Sequence, residues 1–214
     1  MMIIERFLTI LNELSSEVSL VVVSKTRSKS ALMELYDAGH NIFGENKVRE
    51  MVEKFDALPK DIQWHMIGHL QTNKVKYIAH FVSLIHSVDS LKLLIEINKR
   101  AKQNNRIIDC LLQINIAKEE TKFGLTKSEA LEILLLSNKM TNIKIKGLMG
   151  MATNSIDLTL IKSEFFDLSD FYRKTKLKFK NLDILSMGMS GDFRTAIEHG
   201  STMVRVGSAI FDNR

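Results

Sequence analysis

The chain of 214 residues has almost none of the residues that cross-link or interrupt a fold: one proline, Pro59, and one cysteine, Cys110. A lone cysteine excludes an intramolecular disulfide. Inside the apolar stretch Ile107-Ile108-Asp109-Cys110-Leu111-Leu112 it reads as a small core residue. No Ser/Gly/Pro-rich stretch marks a linker and no repeat of solenoid period is present, so a single domain over 1–214 is expected. The first twenty residues have an amphipathic pattern (Ile3, Ile4, Phe7, Leu8, Leu11, Leu14) broken by Glu5, Arg6, Asn12 and Glu13. That pattern is neither a secretory signal nor a membrane span, and a soluble, cytoplasmic protein with no membrane partner is expected.

Common catalytic signatures are missing as well. There is no HExxH and no GxxxxGK[ST], and Gly188-Met189-Ser190-Gly191 misses the spacing of a GxSxG elbow. His65 and His69 are four apart but straddle a strand end, and no nearby cysteine or carboxylate completes a zinc set, so no metal is expected. The formal charge is +5 with a pI near 9.2. Its densest basic run, Arg173 to Lys180, lacks aromatic stacking platforms and a recognition motif. It reads as a solvated helix end leading into a strand, and no nucleic acid is expected as a partner.

What the chain does have is a regular alternation. Strand-like runs cover 20–24, 41–44, 63–67, 82–88, 107–116, 143–149, 182–187 and 203–206. Segments of helical period lie between them at 28–38, 46–58, 72–80, 90–103, 127–136, 158–175 and 191–199. Eight strands, each but the last followed by a helix, imply right-handed βαβ crossovers and a parallel sheet. In this length they fit an α/β fold of (β/α)₈ TIM-barrel type, with the amphipathic N-terminal segment as an extra helix on its bottom or flank. An open doubly wound sheet would carry GxGxxG in its first turn, and the turn here is Ser24-Lys25-Thr26-Arg27-Ser28, without glycine.

In such a barrel the chemistry gathers at the carboxyl ends of the strands. The first exit carries Lys25, directly after the β-branched run Ser19-Leu20-Val21-Val22-Val23 and Ser24. A lysine at the edge of a core is partly desolvated, which lowers its pKa and suits its amine to attack a carbonyl; from this segment alone a plain surface lysine is the favoured reading, since strand ends are commonly polar. The seventh and eighth exits, Gly188-Met189-Ser190-Gly191-Asp192 and Gly207-Ser208, are rich in glycine and serine. Backbone N–H groups, hydroxyls and a helix N-terminus there suit a phosphate, the alternative being ordinary turns with Ser190 as a helix cap. A lysine amine across a barrel mouth from a phosphate cradle is the layout that pyridoxal 5′-phosphate (PLP) requires. Arg205, near the pyridine nitrogen, would leave the ring a poor electron sink. Replacement of Arg205 by glutamate is expected to leave the fold intact. The methionines, Met149, Met151, Met187 and Met189 among them, read mostly as core filler.

The segments VVVSKT (21–26), FGENKVRE (43–50), WHMIGHLQTNK (64–74), HSVDSLKL (86–93), QINIAKEETKFGL (113–125), GLMGMAT (147–153), LSMGMSGD (185–192) and GSTMVRVGSAIF (200–211) together resemble the PLP homeostasis protein family, whose fold is like the N-terminal barrel of alanine racemase. The resemblance implies that Lys25 holds PLP as a Schiff base and that Ser190, Gly207 and Ser208 bind its phosphate. It also implies that Arg205 faces the pyridine nitrogen and that Asn46, His65 and Met149 line the pocket. It further implies a monomeric cytosolic protein that takes part in vitamin B6 balance, with PLP-requiring apo-enzymes as partners and without established turnover. Two departures are visible: Ser28 stands where a proline is often found, and the tail Phe211-Asp212-Asn213-Arg214 is abbreviated. A narrow racemase or lyase is the alternative. Against it, racemases of this type draw a tyrosine base from a second, β-rich domain that is not seen here, and Tyr36, Tyr77 and Tyr172 all fall in helical segments.

Overall fold

The first strand of the chain is hydrogen-bonded to the last. In the computed structural model, which describes residues 2–117 and 123–212, the parallel strands form a closed barrel in chain order. They are β1 (Ser19–Val23), β2 (Ile42–Glu45), β3 (Gln63–Met66), β4 (Leu84–Val88), β5 (Ile108–Ile114), β6 (Ile143–Gly150), β7 (Ile184–Ser186) and β8 (Met203–Val206). The helices between them are α2 (Lys29–Asp37), α3 (Val48–Ala57), α4 (Val75–Ile78), α5 (Leu91–Gln103), α6 (Lys127–Ser137), α7 (Leu158–Lys178) and α8 (Phe193–Glu198), with α1 (Ile3–Glu13) before the barrel and α9 (Ser208–Phe211) after it. Residues 118–122 of the QINIAKEETKFGL segment and Asn213 and Arg214 of the tail lie outside the described residues.

Strands covered on both faces read as continuous apolar runs, and their alternate side chains face opposite ways. Val22, Phe43, Trp64 and Ile85 face the helices in the main core, whereas Val21, Leu84, Leu111, Met149 and Met203 form a separate cluster inside the barrel. Two residues further along three of the inward rows, Leu84, Ile184 and Met203 give way to His86, Ser186 and Arg205. The barrel interior therefore changes from apolar to polar towards its carboxyl-end mouth. Cys110 is buried, and the apolar surroundings push its thiol up.

The strand boundaries differ from the expected ones where side chains or helix ends claim the backbone. Val82 donates its N–H to Ile78 as part of the turn closing α4, so β4 begins only at Leu84. The Leu182 carbonyl accepts the Tyr172 hydroxyl at 3.0 Å, which leaves it outside β7. The expected helix over 72–80 is a 3₁₀ turn, Thr72–Lys74, running into the single turn of α4. The basic run is the exposed end of α7 and its exit, with Lys174 paired to Asp170 one turn back at 2.6 Å.

The N-terminal helix lies on the flank. α1 packs on α2 and α9, and the Arg6 Nε donates to the Ile210 carbonyl at 2.6 Å. It covers the place beside β8 that the one-turn α9 is too short to fill. Ser28 caps α2 by accepting the Ala31 N–H.

A register shift in the β5–β6 pair falls between Cys110 and Leu111 and brings Gly147 against Ile184. A Cβ at Gly147 would lie 1.7 Å from the Ile184 carbonyl oxygen, a backbone atom within the sheet. Gly147→Ala is expected to lower stability by at least about 3 kcal/mol or to prevent folding. Urea denaturation of the variant, or its failure to appear as soluble protein, is the check.

Candidate functional site

A cavity of about 350 Å³ opens at the carboxyl-end mouth, within the size range of small-ligand sites. Lys25, Asn46, Ser190, Arg205, Gly207 and Ser208 all line it, with Val23, Ile67, Met151 and Met189 supplying apolar wall. Six of the eight residues singled out from the sequence thus meet in one place. His65 and Met149 do not line it. Met149 belongs to the apolar cluster inside the barrel, and His65 is 4% exposed within the interior polar layer. Met151, one inward step beyond Met149, takes the lining position. A larger cleft of about 670 Å³ lies beside the mouth and shares Asn46, but every residue lining it is exposed or half-buried, so it is an open surface groove.

Lys25 is exposed, contrary to the partial desolvation expected of it. β1 ends at Val23 and Ser24 is the last buried residue, so the lysine stands above the core's edge. Its ammonium has no hydrogen bond or ion pair with any described residue.

Arg205 is 3% exposed and fully used on its inner side. Its Nη1 donates to the Ser186 carbonyl at 2.9 Å and to Ser186 Oγ at 2.5 Å, and its Nη2 donates to the Gly150 carbonyl at 3.0 Å. Burial brings its pKa down to about 10, so it remains a cation at neutral pH. These contacts correct the expectation for Arg205→Glu: a carboxylate here would face two carbonyl acceptors without water, and the fold would suffer.

The arginine also heads a hydrogen-bond chain. A guanidinium only donates, so the Ser186 hydroxyl, having accepted from it, turns its own proton to His86 Nδ1 at 3.2 Å. His86 Nε2 then donates to His65 Nδ1 at 3.1 Å. This assigns the ring proton to Nε2 in both histidines. Both rings are buried neutral bases. Desolvation lowers His65 from the usual 6.5 to about 3, with His40 adding a smaller contribution, and burial, followed by His65 and Arg205, holds His86 well below the usual value.

The loops after β7 and β8 are joined by one hydroxyl. Ser190 Oγ accepts the N–H groups of Gly207 at 3.1 Å and Ala209 at 3.3 Å. Ser190 is therefore a cap, but for α9 across the mouth and not for the helix that follows it. The N–H groups of Ser190, Gly191 and Ser208 have no hydrogen-bond partner among the described residues. Gly188 (φ +88) makes the turn, and a Cβ there would meet Ala196 Cβ at 2.6 Å. Among the described residues no group of histidine, cysteine or carboxylate side chains could hold a metal ion. His69 lies outside the cavity, paired with Asp89 at 3.0 Å and stacked on Phe123.

The family model "Alanine racemase, N-terminal domain" matches residues 3–213. The pyridoxal phosphate homeostasis protein of Vibrio alginolyticus is 37% identical over 202 residues, covering 92% of this chain and 87% of the relative. The chain belongs to the pyridoxal phosphate homeostasis protein family. A second member, from Aquifex aeolicus, is 39% identical over 197 residues, covering 91% of this chain and 86% of its own. Among solved structures, PipY of Synechococcus elongatus with PLP bound superposes with a TM-score of 0.89 at 31% identity, covering 98% of this chain and 99% of its own.

Sequence reasoning named His65 and Arg205 of this polar layer but missed Ser186 and the Gly150 carbonyl, which hold the arginine from within, and His86, which backs Ser186. A signal was present: a single polar residue at an inward position of an otherwise apolar strand, as in Leu84-Ile85-His86 and Met203-Val204-Arg205.

The two histidines make stability depend on pH. The unfolded chain takes up protons on them below about 6.5, whereas folded His65 does so only near 3, so stability is retained above 6.5 and falls as pH drops through that window. Glu45, raised by burial, acts in the opposite direction, so the contrast with a histidine variant is the measure. Between pH 6.5 and 5, Tm is expected to fall less steeply in His86→Gln than in the parent. An identical slope would show that His86 is not a buried neutral base.

Proposed function

We propose that the chain holds pyridoxal 5′-phosphate at the barrel mouth through a covalent link to Lys25, and that it buffers or delivers the cofactor without turning over a substrate. One observation carries this reading: the partnerless Lys25 amine, the buried Arg205 cation and three partnerless N–H groups share a single cavity. These groups fit the chemistry of the cofactor. An unpaired primary amine suits an aldehyde, and N–H donors in a glycine- and serine-rich loop suit a phosphate dianion. The family membership and the PLP named for PipY support the same assignment.

When bound, PLP supplies an aldehyde that bonds an amine and a ring that withdraws electrons once its nitrogen is protonated. Arg205 works against that protonation, because it is a donor with no acceptor site and is locked by Ser186 and Gly150. Ser190, Gly207 and Ser208 hold the phosphate in this reading, and Asn46 closes the side of the pocket next to Lys25. His65 acts from the layer below. Met149 supports that layer without reaching the cavity.

No tyrosine supplies a proton carrier at the mouth. Tyr36 donates to Asp61, Tyr172 donates to the Leu182 carbonyl, and Tyr77 lines the larger cleft outside. This favours cofactor holding over racemisation. Among the described residues no helix is long and apolar enough to cross a membrane. We take it to act as a monomer that supplies PLP-requiring apo-enzymes.

Lys25→Ala is expected to abolish the absorbance band of the bound cofactor near the visible edge; a band of unchanged intensity would exclude Lys25 as the attachment point. PLP transfer to an apo-enzyme, followed with and without the protein, tests delivery. Robust racemisation of an amino acid by the parent, lost in Lys25→Ala, would replace this reading with the enzymatic one.

A further inference from the structure

Outside the barrel wall, a buried ion-pair network grips the turn that carries Lys25. Glu45, at the end of β2, and Lys54, on α3, are 0% and 4% exposed. Glu45 Oε1 accepts from Ser24 Oγ at 2.6 Å and from Lys54 Nζ at 2.7 Å. The same ammonium donates to the Ser24 carbonyl and to Glu50 Oε1, both at 2.7 Å, which uses all three of its donors. Glu50 Oε1 in turn accepts the Thr26 N–H at 2.5 Å. The residues on either side of Lys25 are thus tied to one head group, Ser24 directly and Thr26 through Glu50. Thr26 has φ +62, a left-handed conformation that a β-branched residue adopts only at a cost.

This arrangement is not one that stability alone would favour. A buried ion pair is worth no more than well-packed apolar side chains of the same volume. Glu45 Oε2 is also buried without a hydrogen-bond partner, a further penalty. Two unfavourable features and a strained residue therefore converge on three consecutive positions, with Lys25 in the middle. They are what a fixed backbone direction at that lysine requires.

We propose that Glu45, Lys54 and Glu50 are positioning residues that clamp the 24–26 turn and aim the Lys25 amine into the mouth cavity before any cofactor arrives. The proposal rests on the reading of Lys25 as the attachment point. The clamp makes no hydrogen bond to the Gly/Ser-rich loops after β7 and β8 or to Arg205.

The double variant Glu45→Gln/Lys54→Met removes both fully buried charges together, leaving only Glu50, whose side chain is 22% exposed to water, without its ammonium partner. It is expected to fold with a Tm close to the parent's. Release of PLP into excess apo-enzyme, read as loss of the bound-cofactor band, is expected to quicken by about tenfold or more once the amine is no longer held in place. In cofactor-free protein, borohydride trapping with pyridoxal, which lacks the phosphate, is expected to lose its preference for Lys25 over other lysines in a peptide map. A folded double variant with the parent's release rate and labelling pattern would overturn the clamp, as would a band that weakens only in step with the folded fraction. Lys25→Ala run in parallel separates the two readings. A surviving band there overturns the Lys25 attachment and the clamp with it, whereas a lost band beside an unchanged double variant overturns the clamp alone.

Discussion

The site depends on the closure of the barrel between its first and last strands. β1 and β8 pair in parallel over Ser19↔Met203, Leu20↔Val204, Val21↔Arg205 and Val22↔Val206. That register sets Arg205 opposite Val21 and brings Lys25 and Gly207, from opposite ends of the chain, to one mouth. The approach is close: a Cβ on Gly207 would lie 2.8 Å from the Val23 carbonyl. The Arg27–Asp212 ion pair at 2.5 Å fastens the same two exits above the sheet. Because every strand is parallel, every carboxyl end reaches the same rim, and the loops there can form one cavity.

Two buried polar systems flank that closure, one on each side of the barrel wall. Inside, Arg205 is held by Ser186 and Gly150 and backed by the two neutral histidines. Outside, Lys54 is held by Glu45, Glu50 and Ser24. Each places charge in a region of low dielectric, where a charge is tolerated only with its hydrogen-bonding capacity filled. Lys54 uses all three of its donors and Arg205 three of its five, while Glu45 Oε2, buried without a hydrogen-bond partner among the described residues, lies next to the turn under strain. The result is a mouth whose groups are fixed from behind while their working faces stay open. A guanidinium cannot change its protonation at neutral pH, so the inner system presents a constant donor and not a titrating one.

Much of this was legible in the sequence. The alternation of apolar runs and helical periods gave the eight strands and the barrel, because a parallel sheet covered on both faces needs such runs. Lys25, Ser190, Arg205, Gly207 and Ser208 were found by reading only the strand exits, since fold class tells which end carries the site. His65 and Met149 were drawn into the same list by resemblance, and they lie one layer too deep to line the cavity. The difference is a two-residue step along a strand, which depends on register and is invisible before the strands are paired. The shortened β7 and the broken helix before β4 escaped for a related reason. There a tertiary contact, such as Tyr172 on Leu182, overrides local pattern.

The exposure of Lys25 was also beyond the sequence. An apolar strand followed by lysine does not say whether the last layer of the core closes below the amine or around it. Here it closes at Ser24. The sequence by itself determined which strands form, which of their ends carry chemistry, and which residue types gather there, because those follow from periodicity and side-chain chemistry. Only the tertiary structure decided which inward residues reach the cavity, which hydroxyl joins the two glycine- and serine-rich loops, and which buried charges grip the lysine turn. These last are set by packing between segments far apart in the chain, and no local pattern encodes the distance between them.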